Sequence, residues 1–197
     1  MKIWGLTGSI GMGKTTTAKV FRRLGVPVFD ADAAVHALQS RGGAAVRPIA
    51  AAFPGTVRDG AVVREALRAV VLADPAALKQ LEAIVHPLVR TAERNFLRAC
   101  RRRGEPVVVL DVPLLFETRT AKQRRYLDAI LVVSAPPGVQ RARVLRRRGM
   151  TPTRFRAILA RQMPDSQKRR LADHVIPTGL SRHHTQAVIR RLVRCHA

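Results

Sequence analysis

Gly8-Ser9-Ile10-Gly11-Met12-Gly13-Lys14-Thr15 satisfies the pattern G-x-x-x-x-G-K-[ST] and stands between a short apolar run and a segment with helical spacing. Glycines at these places let backbone amides curl around phosphate oxygens, and a helix beginning directly after the loop turns its positive end toward them. The lysine neutralises phosphate charge, and the hydroxyl of the next residue suits a magnesium ion. Such a loop needs a strand to deliver it and a helix to receive it. Lys2–Leu6 reads as the strand, and Ala18, Phe21 and Leu24 mark the helix, which Gly25 ends. An α/β architecture follows, with a nucleoside triphosphate held by Gly8, Gly11, Met12, Gly13, Lys14, Thr15 and Thr16. The loop leaves open what receives the phosphate.

Four further apolar runs read as strands: Val26–Asp30, Val107–Asp111, Ala129–Ser134 and His174–Pro177. Continuous β-branched runs separated by helical stretches predict a five-stranded parallel sheet covered by helices on both faces. Ligands of such sheets sit at the carboxyl ends of the strands, where the loop, Asp30, Asp32 and Asp111 all fall. The expected organisation is a single domain whose core comprises residues 1–40, 105–135 and 171–197. A mostly helical excursion, about 41–104, is too long for a simple crossover. A second excursion, about 136–170, reads as a helical hairpin forming a lid, with Thr151 as N-cap and Pro152 in the first turn of its second helix. The tail from Ser181 reads as a closing helix with Val188, Ile189, Leu192 and Val193 on its apolar face.

Several function classes are excluded or disfavoured. A guanine-reading switch needs Asn-Lys-x-Asp, yet the chain has one asparagine, Asn95, in a different setting, and no L-S-G-G-Q transporter element is present. The opening residues are a short apolar strand rather than an export signal, and no apolar run approaches the roughly 20 residues a bilayer demands. A cytoplasmic protein with no membrane partner is expected. Cys100 and Cys195 stand apart as reduced thiols, and His36, His174, His183, His184 and His196 form no ligand constellation. The net charge of +23 invites a nucleic-acid reading, but the excess is arginine spread along the chain, and six Phe, one Tyr and one Trp offer few stacking surfaces. No specific nucleic-acid partner is expected, although the field would gather small phosphorylated anions. A small-molecule kinase is the natural remaining class; an ATPase acting on nucleic acid is the alternative that the charge keeps open.

An acid after the second strand, Asp32, can accept the proton of an attacking hydroxyl and orient it for in-line transfer. By sequence alone, Asp30 or Asp32 serves equally well as a helix N-cap. Asp111 ends an apolar strand, a position that suits a Mg²⁺-associated acid or a structural hydrogen bond. Arg143 and Arg147, four apart, would share one helical face of the lid, and Arg143 is favoured to reach the transferring phosphate.

Collected in order, "GLTGSIGMGKTTTA", "VFDAD", "REALRAVVLADPAALKQLEAIVHP", "LDVPLLFE", "QRARVLRRRGMT" and "KRRLADHVI" resemble the dephospho-CoA kinase family. The resemblance implies an adenylate-kinase-like P-loop fold and ATP-dependent phosphorylation of the 3′-hydroxyl of dephospho-CoA, giving coenzyme A and ADP, with Mg²⁺. It implies Asp32 as the base, with Lys14 and Arg143 completing the catalytic set and Thr15 and Asp111 at the metal. It also implies Asp32, Arg64, His86, Leu114 and Phe116 around the acceptor, in a chain expected to act as a monomer. Two places depart from the family pattern. Ser9 stands where a second glycine is common, with no consequence expected, and Pro177-Thr178-Gly179 stands where many members carry an asparagine and a glycine near the adenine.

Overall fold

The computed structural model describes residues 1–195; His196, the last residue of the expected histidine set, and Ala197 lie outside the described residues. In chain order the elements are β1 (Lys2–Thr7), α1 (Lys14–Arg23), β2 (Val28–Asp30), α2 (Ala31–Gln39), α3 (Val46–Ala52), β3 (Val57–Arg58), β4 (Ala61–Val62), α4 (Arg64–Ala73) and α5 (Pro75–Arg102). There follow β5 (Val107–Asp111), α6 (Leu115–Thr118), α7 (Ala121–Arg124), β6 (Ala129–Ser134), α8 (Pro137–Leu145), α9 (Pro152–Ala160), α10 (Asp165–Arg170), β7 (His174–Pro177) and α11 (Arg182–Arg194). Two compact units result, one of Met1–Phe29 with the chain from Cys100 onward, the other of Asp30–Ala99. The boundary therefore falls at the end of β2, earlier than the expected start near residue 41, and Asp30 and Asp32 group with the helical excursion.

The first unit holds the five-stranded parallel sheet, in the order β2-β5-β1-β6-β7, flanked by helices. β1 lies central, with Leu6 opposite Asp111 of β5 on one side and Thr7 opposite Val132 of β6 on the other. β5 is buried along its whole length, as a strand covered on both faces must be. Trp4, Leu6, Phe21, Val109, Leu131, Ile176 and Ile189 form its core, with the Trp4 and Phe21 rings edge to face at 6.1 Å. Ile189 is fully buried, and Leu192 and Val193 pack beside it, so the closing helix uses the expected face. Thr151 caps α9 by accepting the Arg154 N–H, with Pro152 in the first turn; α8 ends at Leu145, ahead of Gly149, and residues 136–170 hold α10 besides the two expected helices. The two cysteines are free thiols, and burial pushes the Cys100 thiol up from its usual range, an effect partly offset by the Arg103 guanidinium beside it.

The second unit is built around Ile49, Phe53, Leu67 and Val85. It contains an element the periodicity did not predict, a hairpin in which Val57 pairs with Val62 and Arg58 with Ala61. Its two-residue turn, Asp59-Gly60, takes positive φ at both positions (52° and 74°), the geometry that matches the twist of a tight hairpin. Among the described residues no helix is long and apolar enough to cross a membrane.

Candidate active site

Gly8 follows β1 closely packed against β6: a Cβ there would stand 2.3 Å from a Val133 methyl, so only glycine lets the loop leave the sheet here. Gly13, at φ 91°, is the N-cap of α1 and brings no side-chain cap. The first N–H groups of an α-helix have no partner within the helix, and here no capping side chain stands over them, which suits an anion. Thr15 and Thr16 are exposed at this end. The Met12 side chain is buried in the sheet core, where its sulfur accepts the Ala135 N–H, and its backbone N–H donates to Ser9 O at 3.1 Å. Ser9 is buried and its hydroxyl has no hydrogen-bond partner.

Lys14, first residue of α1, extends to Asp111, last residue of β5, with Nζ 2.6 Å from Oδ1. The carboxylate is nearly fully buried, whereas Lys14 keeps partial exposure. A charge-assisted contact of this length holds the lysine over the loop. Oxygen donors from Thr15 and Asp111 suit a hard divalent cation. Among the described residues no three His, Cys, Asp or Glu side chains gather to hold a metal. The donor set thus fits Mg²⁺ bound with the help of phosphate oxygens and water, the usual mode for that ion.

The α8–α9 segment is hydrogen-bonded to the loop. Ile10 N–H donates to Gln162 Oε1 (3.0 Å), beyond α9, while Ile10 O accepts from Gln140 Nε2 (2.8 Å), on α8. Arg143, half-buried on α8, directs Nη1 to Thr178 Oγ1 at 3.2 Å and Nη2 to Thr178 O at 2.6 Å. Arg147 does not share its helical face: α8 ends at Leu145, and Arg147 lies exposed beyond it, with its N–H on Val144 O. Farther out, Lys168 on α10 is completely buried with Nζ 2.8 Å from Glu117 Oε1, which also accepts the Met163 N–H. Gln140, Gln162, Thr178, Glu117 and Lys168 carry no chemical signature in one dimension, and of these Gln140, Glu117 and Lys168 alone fall within the quoted motifs.

In the second unit the cap ambiguity resolves. Asp30 is the N-cap of α2, its Oδ1 accepting the Ala33 N–H at 2.9 Å, and Asp32 is left exposed in the first turn. Arg64 begins α4 and lines a cleft of about 290 Å³ together with His36, Gln39, Ser40, Arg41, Ala61 and Val62. His36 and Arg41 are thereby drawn into a basic cleft that the sequence did not reveal, because the β3–β4 hairpin closes it. His86 is exposed on α5 and is not among the cleft's lining residues. Back in the first unit, Leu114 is open to solvent, whereas Phe116 is buried beneath the Arg124 guanidinium, 4.8 Å from the ring centre.

Residues 2–181 match the family model for dephospho-CoA kinase. A dephospho-CoA kinase from Paramagnetospirillum magneticum is 65% identical over 169 residues, covering 86% of this chain and 78% of the relative. A crystal structure of a Thermus thermophilus protein superposes with a TM-score of 0.82 at 34% identity, over 100% of this chain and 98% of the other. The structure of a dephospho-CoA kinase from Campylobacter jejuni shares the fold at a TM-score of 0.69 and 19% identity, over 100% and 97% of the two chains. A phosphate loop closed by Lys14 and Asp111, helices α8 and α9 hydrogen-bonded to it through Gln140 and the residues just past α9, and a family match across most of the length lead to one conclusion: the chain is a P-loop kinase that belongs to the dephospho-CoA kinase family.

Proposed function

We propose that the chain moves the γ-phosphoryl group of ATP onto the 3′-hydroxyl of the dephospho-CoA ribose, with the following division of labour. Backbone amides of Gly8, Gly11, Met12 and Gly13 and the start of α1, with Thr16, hold the donor phosphates. Lys14 neutralises charge on the transferring group, and Arg143 adds a second cation from the lid. The hydroxyl oxygen attacks the γ-phosphorus in line, its proton passes to the Asp32 carboxylate, and ADP leaves. Thr15 and Asp111 would hold Mg²⁺, whose contribution is to neutralise phosphate charge. Arg64, His86, Leu114 and Phe116 bound the acceptor, with Arg64 meeting its anionic part. In this reading the enzyme is a cytoplasmic monomer with no membrane or specific nucleic-acid partner.

The observation that carries the reading is the Lys14–Asp111 contact at the start of α1, which joins the loop's cation to the acid of the adjacent strand. Asp32 is supported as the base because Asp30 already fills the cap, leaving the Asp32 carboxylate without that structural duty. General-base removal costs about 10²–10⁴ in rate. Asp32→Asn is therefore expected to lower kcat by about a hundredfold or more while ATP affinity stays within about threefold. An unchanged kcat removes Asp32 from this role.

A further inference from the structure

Thr178 stands just past β7, with 6% of its surface exposed. Its hydroxyl meets three groups. Oγ1 lies 2.5 Å from Met12 O and 3.3 Å from Ser134 O, and accepts from Arg143 Nη1 at 3.2 Å. A threonine hydroxyl has one proton to give, and the shortest contact assigns it to Met12 O. The Thr178 backbone is fixed independently, its N–H donating to Ser134 O at 2.8 Å while its own carbonyl accepts Arg143 Nη2. The loop reaches the same side chain from below, since a Cβ on Gly13 would lie 3.2 Å from Oγ1. One buried residue thus links the phosphate loop, the end of the sheet and the lid arginine.

We infer that Thr178 is a positioning residue for phosphoryl transfer: it fixes the Arg143 guanidinium against the phosphate loop while leaving that group able to bind phosphate. A guanidinium has five N–H donors in a rigid plane, and Thr178 takes two of them. Three remain for the nucleotide, so holding the arginine and using it are compatible. Met12 O and the guanidinium are joined through one oxygen, and the arginine's place is thereby set relative to the loop that grips the donor. The inference rests on the reading of Arg143 given above.

Thr178→Val keeps the volume and removes the hydroxyl. It is expected to lower kcat about tenfold, the effect of losing one hydrogen bond to a charged group, with KM for dephospho-CoA within about twofold. Thr178→Ser restores the hydroxyl and is expected to return kcat to within about twofold of the parent. In an Arg143→Ala background, where no guanidinium remains to be placed, Thr178→Val should add less than about a twofold further loss. If Thr178→Val does not fold, Thr178→Ala is read in the same cycle. A full loss repeated in the Arg143→Ala background, or no rescue by serine, overturns the positioning role and leaves Arg143 intact. Arg143→Ala at the parental rate overturns the reading of Arg143, and the inference with it.

Discussion

Lys14 Nζ and Asp111 Oδ1 are 2.6 Å apart, joining the first residue of α1 to the last residue of β5. The contact makes Lys14 a directed cation rather than a mobile one and sets it against a nearly buried carboxylate beside the loop. Lys14→Met removes a group whose charge matters most as phosphate charge grows in the transition state. We expect kcat to fall about a hundredfold or more, as on removing a single stabilising donor from a preorganised site. Steady-state turnover with ATP measures it, and a loss confined to KM would mean the lysine binds ground and transition states equally.

Asp111→Asn leaves Lys14 opposite a neutral oxygen and removes the charge expected to draw Mg²⁺. The Mg²⁺ concentration for half-maximal activity is expected to rise about tenfold, for one charge-assisted ligand lost. A titration of activity against Mg²⁺ reads the shift, and an unmoved midpoint would make Asp111 a structural partner of Lys14 alone.

Lys168, completely buried, pairs with Glu117, which keeps part of its surface in solvent, and the effect of this pair should be on stability. Lys168→Met leaves the Glu117 carboxylate without its cation but still reached by solvent, so the cost should be about 1–3 kcal/mol. In a chain of this size that corresponds to a Tm lower by about 5 °C. Replacing both, Lys168→Met with Glu117→Leu, should recover much of the loss, because apolar side chains need no compensating charge. Thermal unfolding of the three variants decides it; a double variant no more stable than Lys168→Met contradicts the pairing.

Arg64 lines the basic cleft of the second unit. Arg64→Ala is expected to raise KM for dephospho-CoA about tenfold or more, as for one charge-assisted contact, with KM for ATP little changed. An unaltered KM for dephospho-CoA would take this cleft out of acceptor binding.

Much of the first unit was legible because it depends on continuous apolar runs. Four of the five strands end where those runs end, and β2 alone begins later than expected, at Val28 rather than Val26, after Pro27, which has no N–H to give to a ladder. The β3–β4 hairpin escaped because its strands are two residues each, too short for any period; the Asp59-Gly60 pair was its one signal. The choice between Asp30 and Asp32 as cap could not be made from residue types, since both fit chemically, and only the backbone turn into α2 selects Asp30. The shared face of Arg143 and Arg147 failed because α8 ends after Leu145, ahead of the exposed arginine run that leads to Gly149. Thr178 was invisible as a partner of Arg143 because the contact spans 35 residues and exists only once β6 and β7 pair side by side.

The identity of the acceptor decides what this kinase does. Purified protein would be incubated with ATP, Mg²⁺ and dephospho-CoA, adenosine, AMP or RNA in parallel, with mass detection of each acceptor alongside ADP formation. Dephospho-CoA alone is expected to gain one phosphate, at the ribose 3′-oxygen, in step with the ADP formed. A phosphate appearing on adenosine or AMP while dephospho-CoA is returned unchanged, or ADP formation driven by RNA, would contradict it.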